Sequence, residues 1–157
     1  KTDCTMKKIF LVLLFILCCS FSYAQTSYFR SKGYKGDITL GINGDLSCGG
    51  TGIALMTSHG YQLNHYLYIG GGVGYENEML PLFGHIKSYF IKNDTRVIPW
   101  AEFKMGFDAC NSGVYLSPGA GFSLQICDKF GISCCLAYGL NVYWDEHNVG
   151  MRLGFHF

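Results

Sequence analysis

From Tyr34 onward apolar residues recur at every second position, and helix-length stretches with helical spacing are absent. The last segment shows it most plainly. Val149, Met151, Leu153, Phe155 and Phe157 are apolar, and Gly150, Arg152, Gly154 and His156 stand between them. Three more segments repeat the pattern: Val97–Asp108, Val114–Gln125 and Phe130–Leu140. Four weaker ones complete the count: Tyr34–Gly44, Thr51–Leu63, Tyr66–Tyr75 and Leu80–Ile91. Side chains of a strand point to opposite faces in turn, so each segment has one apolar face and one small or polar face. The breaks carry turn chemistry: Asp45-Leu46-Ser47, Asn64-His65, Glu76-Asn77-Glu78, Asn93-Asp94, Asn111-Ser112, Asp128-Lys129 and Asp145–Asn148. The spacing predicts an all-β, eight-stranded antiparallel up-and-down barrel, because closure removes the two edges that an open sheet leaves exposed. Pro99 and Pro118 fall inside strand patterns and remove ladder donors, which places them at a rim or a bulge.

The polar face is a poor solvent surface. It consists mostly of Gly, Ser and Ala, with single charges at Lys87, Glu102, Lys104 and Arg152, where a solvated exterior carries many more. Small residues suit a narrow lumen instead, since eight strands leave an interior just wide enough for side chains to fill. On this reading Asp37 and Glu102 pair inside with Lys87, Lys104 and Arg152, and the apolar stripes face lipid. Aromatics near strand ends, among them Tyr61, Tyr66, Tyr75, Tyr89, Phe107, Tyr138 and Phe157, then serve as interfacial girdles. The alternative is a soluble, lipocalin-like barrel, secreted or periplasmic, that binds an apolar ligand inside and turns its glycines to water.

Composition sharpens this picture. The chain is 49% hydrophobic and only 15% charged, which excludes a disordered tail, a coiled coil and a basic nucleic-acid binder. Met6-Lys7-Lys8, the apolar run Ile9 to Cys19, and small residues at Ser22 and Ala24 form the pattern of a secretory signal peptide cut before Gln25. Residues 1–24 are thus upstream residues plus leader, and 25–157 form one barrel domain. The leader's apolar run is too short for a spanning helix, which needs about 20 residues. Ile16-Leu17 before Cys18 is too bulky for lipoprotein processing. The 21 glycines all follow position 32, making up about 16% of the 133 residues left when 24 are removed from 157. Net charge is +1, and about −1 without Lys1, Asp3, Lys7 and Lys8, so it points to no electrostatic partner.

The terminal strand Val149–Phe157, with Phe155 and Phe157 at its end, resembles the terminal strand of bacterial outer-membrane barrels, which the assembly machinery reads. His59–Glu76 (HGYQLNHYLYIGGGVGYE) is similar to a hairpin of small outer-membrane β-barrel proteins of the Bacteroidetes type, with His65 where Pro is common. The resemblance implies a Gram-negative outer-membrane location, with membrane lipid and the barrel-assembly machinery as partners, and it transfers no activity. With both termini periplasmic, turns near Asn64, Asn93 and Asp128 are periplasmic. Those at 45–50, 76–79, 109–112 and 141–148 are extracellular, and too short for a receptor or adhesin loop.

Little in the chain points to chemistry. Gly70-Gly71-Gly72-Val73-Gly74 has Tyr75 where a phosphate loop needs glycine, and no helix follows. After the leader come Cys48, Cys110, Cys127, Cys134 and Cys135, an odd number without a C-x-x-C pair. Cys48 and Cys110, both at extracellular connections, are the conceivable disulfide, and Cys134 and Cys135 point to opposite faces. His59, His65, His85, His147 and His156 show no metal-binding spacing. A lipid-modifying barrel enzyme needs Ser and His together near a rim; Ser58 and His59 point apart, which leaves Ser88 with His59. The expectation is a barrel with a filled lumen, a wide channel needing about 16 strands. No cofactor, metal or catalysis is expected.

Overall fold

The computed structural model describes residues 32–46, 49–90, 97–110, 112–127, 130–142 and 146–157. The leader, Cys48 and the Asn93-Asp94 and Asp128-Lys129 turns lie outside these residues. Eight strands follow in chain order: β1 (Gly33–Asp45), β2 (Thr51–Gln62), β3 (Leu67–Glu76), β4 (Pro81–Tyr89), β5 (Val97–Asp108), β6 (Gly113–Cys127), β7 (Phe130–Asn141) and β8 (Glu146–His156). Each pairs antiparallel with the next, and β8 returns to β1, so the sheet is a closed barrel. The closing seam runs from Asp37↔His156 to Asp45↔Asn148. Phe157 extends it, exchanging two backbone hydrogen bonds with Gly36. Among the described residues no helix is long and apolar enough to cross a membrane, which has no bearing on strands.

The four connections β1–β2, β3–β4, β5–β6 and β7–β8 share one end, here the turn end. The start of β1, Phe157 and the other three connections share the opposite, terminal end. Turn residues act locally. Asn64 Oδ1 accepts the backbone N–H of Tyr66 (2.8 Å) and of Leu67 (2.9 Å), bending the chain between β2 and β3. Between β3 and β4, Glu76 and Met79 exchange both backbone hydrogen bonds across Asn77 (φ 44°) and Glu78 (φ 71°). Positive φ at both central residues is the twist-matched hairpin turn.

Alternation sets the two surfaces. The outer face carries Ile42 at 68% exposure and Leu136 at 66%, while Lys87 and Arg152 are 2% and 1% exposed inside. The soluble alternative, with apolar residues converging inside and glycines facing water, is therefore overturned. The lumen is also bulkier than its glycines suggest. Tyr68, Tyr89, Ile98, Trp100 and Cys135 form one buried cluster, and Met56, Phe83 and Tyr115 another. Glycines make room beside the large groups. A Cβ on Gly41 would come within 2.6 Å of Arg152 Cγ, and one on Gly139 within 3.0 Å of Glu76 Oε1.

The two prolines are accommodated differently. Pro99, third in β5, lies near the terminal rim, and its carbonyl accepts the Phe90 N–H. Pro118 sits well inside β6, not at a rim. Its pairing with Phe103 of β5 is kept. On the β7 side the ladder passes from Leu116↔Leu140 to Gly119↔Ala137, leaving Ser117 and Pro118 out. The register shift in β6 falls later, between Gln125 and Cys127.

Candidate functional site in the barrel lumen

Five charged residues singled out by alternation, Asp37, Lys87, Glu102, Lys104 and Arg152, all point into the lumen and are all buried. Four of them form one network. Lys87 Nζ donates to Asp37 Oδ2 at 2.7 Å and lies 3.7 Å from Glu102 Oε2. Lys104 Nζ donates to Glu102 Oε1 at 2.8 Å. His156 Nδ1 lies 3.2 Å from Asp37 Oδ2, so this pair spans the closing seam. Lys87 also sits over the Trp100 ring, 4.1 Å from its centroid, a cation–π contact inside a desolvated space.

Arg152 departs from expectation. It pairs with Glu76, at 2.8 Å, and not with Asp37 or Glu102. Glu76, a turn residue by sequence pattern, is the last residue of β3 and fully buried. Tyr115 Oη donates to Glu76 Oε2 at 2.6 Å, and Asn43 Nδ2 donates to Oε1. The lumen thus holds a second ionic centre nearer the turn end. Met56 lies between the two centres, with its sulfur 4.0 Å from Lys104 Nζ and 3.5 Å from Arg152 Nη1. Parity is the signal that marks Glu76: it continues the Gly70, Gly72, Gly74 series that faces inward.

His85 is a further member that the sequence pattern does not single out. Its Nε2 lies 2.9 Å from Glu102 Oε2 and its Nδ1 lies 2.9 Å from Ser58 Oγ. This is a serine–histidine–carboxylate chain, but Ser58 is only 3% exposed and Glu102 is already held by Lys104. The chain ties β2, β4 and β5 together through the interior. The Ser88–His59 pair is not formed. Ser88 lies beside Leu67 of β3, whereas His59 lies beside Gly71 and bonds to Tyr34 (2.7 Å) and Thr57 (3.2 Å).

Phe155 and Phe157 end the chain on the outer side of the seam. Phe155 stacks on Phe130, with centroids 5.9 Å apart, and the Phe157 ring covers Gly36 and meets the His59 ring edge-on. Cys110 and Cys134 are exposed and Cys135 is buried, all three as free thiols; Cys48 lies outside the described residues. Among the described residues no group of three His, Cys, Asp or Glu is placed to hold a metal ion.

A closed antiparallel barrel of eight strands, apolar without and ionic within, belongs to the inverted class of barrels, the opposite of a soluble ligand carrier. Two solved structures that it resembles are small outer-membrane barrels. One is the N-terminal β-barrel domain of OprF from Pseudomonas aeruginosa, at TM-score 0.59 and 13% identity over 81% of this chain and 100% of that one. Another is Neisserial surface protein A (NspA), at TM-score 0.59 and 11% identity over 78% of this chain and 94% of that one. At such identities the likeness is one of fold. No protein-family model matches the sequence, and no curated protein does either.

Proposed function

We propose that this chain is an integral outer-membrane β-barrel of a Gram-negative, Bacteroidetes-type envelope. It is exported by its leader and acts structurally or as an interaction partner, without catalysis or cofactor. The observation that carries this reading is the inverted sidedness. A continuous outer belt of Leu, Ile, Val, Phe and Met surrounds buried Lys87, Lys104 and Arg152. Water disfavours such a belt and lipid favours it, and closure removes the open sheet edges whose backbone groups lipid could not satisfy. Acyl chains are then the principal partner. The assembly machinery is the second, reading the outward Phe155 and the terminal Phe157 on β8. The side-chain-filled lumen supports no wide aqueous channel.

The termini face the periplasm in this reading, and the short turns face outward. Fractionation tests it directly. The protein is expected in the detergent-resistant outer-membrane fraction, and an unboiled sample should run faster on a denaturing gel than a boiled one. Recovery from the soluble periplasmic fraction with a single mobility would overturn it.

A further inference from the structure

Leu40 and Ile42 fill the outer face of β1, and Gly44, next on the same face, leaves it open. Gly44 lies between Thr51 of β2 and Val149 of β8. A Cβ there would meet nothing nearer than the Val149 carbonyl oxygen, at 3.8 Å. Gly36, also on this face, is covered instead by the Phe157 ring. The uncovered position is the floor of a cleft of about 590 Å³ across the closing seam, walled by Ile42, Ile53, Leu136, Val149 and Met151. That is the size of a small-ligand pocket, and its walls are aliphatic. Toward the turn end it runs into a second cleft, of about 480 Å³, lined by Asp45, Thr51, Tyr75, Asn77 and Glu78. The two share Thr51, Gly52 and Ile53. Among the described residues no Lys or Arg lines either cleft. An aliphatic trough in the outer wall thus opens into a mouth with two carboxylates and a tyrosine ring.

We propose that the joined clefts seat one amine-headed lipid, with an acyl chain in the trough over Gly44 and its ammonium group at the mouth, against Asp45, Glu78 and the Tyr75 ring. The inference rests on the membrane-barrel reading above and adds one lipid chemistry at one place in the wall. Aliphatic walls favour hydrocarbon and give a polar group no partner. Carboxylates attract an ammonium group, and so does the face of a tyrosine ring. The Thr51 hydroxyl, at the junction of the clefts, is a donor for an ester or phosphate oxygen behind the amine. A lipid with an anionic head fits the trough equally well and meets like charge at the mouth. Occupancy therefore resides in the trough and selectivity in the mouth.

The test is native mass spectrometry of the barrel folded into vesicles of equal parts phosphatidylethanolamine and phosphatidylglycerol, with identical acyl chains, then released into a non-ionic detergent. The native chain should retain one phosphatidylethanolamine, at least about threefold more often than phosphatidylglycerol. Gly44→Leu, whose side chain has room to fill the trough, should lose both lipids. Asp45→Asn/Glu78→Gln should keep a lipid and lose the preference. The unboiled gel shift reports folding of every variant separately. Three results from folded protein would overturn the lipid seat alone: no preference in the native chain, retention unchanged in Gly44→Leu, or a preference that survives the double variant. So would a folded native chain that retains no lipid. Failure to insert into the vesicles would overturn the membrane reading beneath it.

Discussion

Glu102 is the most heavily engaged group in the lumen, accepting from Lys104 while also meeting Lys87 and His85. Buried in the lumen, each of those groups depends on the others for its solvation. Glu102→Gln removes the charge but keeps the shape, and leaves Lys104 buried without its carboxylate. The expected cost is about 3–5 kcal/mol, read as a lower urea midpoint of the barrel refolded in lipid. The second centre behaves as a unit. Glu76→Gln and Arg152→Met should each cost about 3–5 kcal/mol. The double variant should cost less than their sum by at least about 1 kcal/mol, because neither charge is then stranded. Simple additivity would show that the pair is not coupled.

Strands and turns carry different signals. The outward stripe of β7, with Leu136 between Ala120 of β6 and Met151 of β8, is the clearest lipid-facing element. Leu136→Arg should cost about 2–4 kcal/mol at the bilayer midplane, measured by unfolding in vesicles, whereas the inward neighbour position is already closed by packing at Cys135. The β3–β4 turn holds Glu78 at a φ that favours glycine. Glu78→Gly should stabilise the barrel by about 1 kcal/mol, read in the same unfolding curve. Alternation made strand number and sidedness legible in the sequence, because parity needs only local order. Asp37, Lys87, Glu102, Lys104 and Arg152 were found that way. Partner choice was not legible, since which inward side chains meet depends on barrel register. Arg152 reaches Glu76 from β8 to β3, strands that share no ladder. The lumen's aromatic filling was masked for a related reason. Tyr68, Phe83 and Trp100 sit at inward positions, but glycines and serines dominate that face by number and conceal its volume.

At the scale of the molecule, one balance decides the outcome. An apolar exterior and an ionic, side-chain-filled interior are stable together only where the outer solvent is hydrocarbon and the backbone is closed upon itself. The outward aromatics near both ends, Tyr61 and Phe90 at one and Tyr75 and Phe107 at the other, give that barrel a depth. The most direct test places a reporter on the outer stripe. In a Trp100→Phe/Trp144→Phe background, Leu153→Trp is folded into vesicles containing lipids brominated along their acyl chains. Strong quenching of the introduced indole's fluorescence is the predicted result, and an unquenched, water-shifted emission from a folded protein would contradict the account.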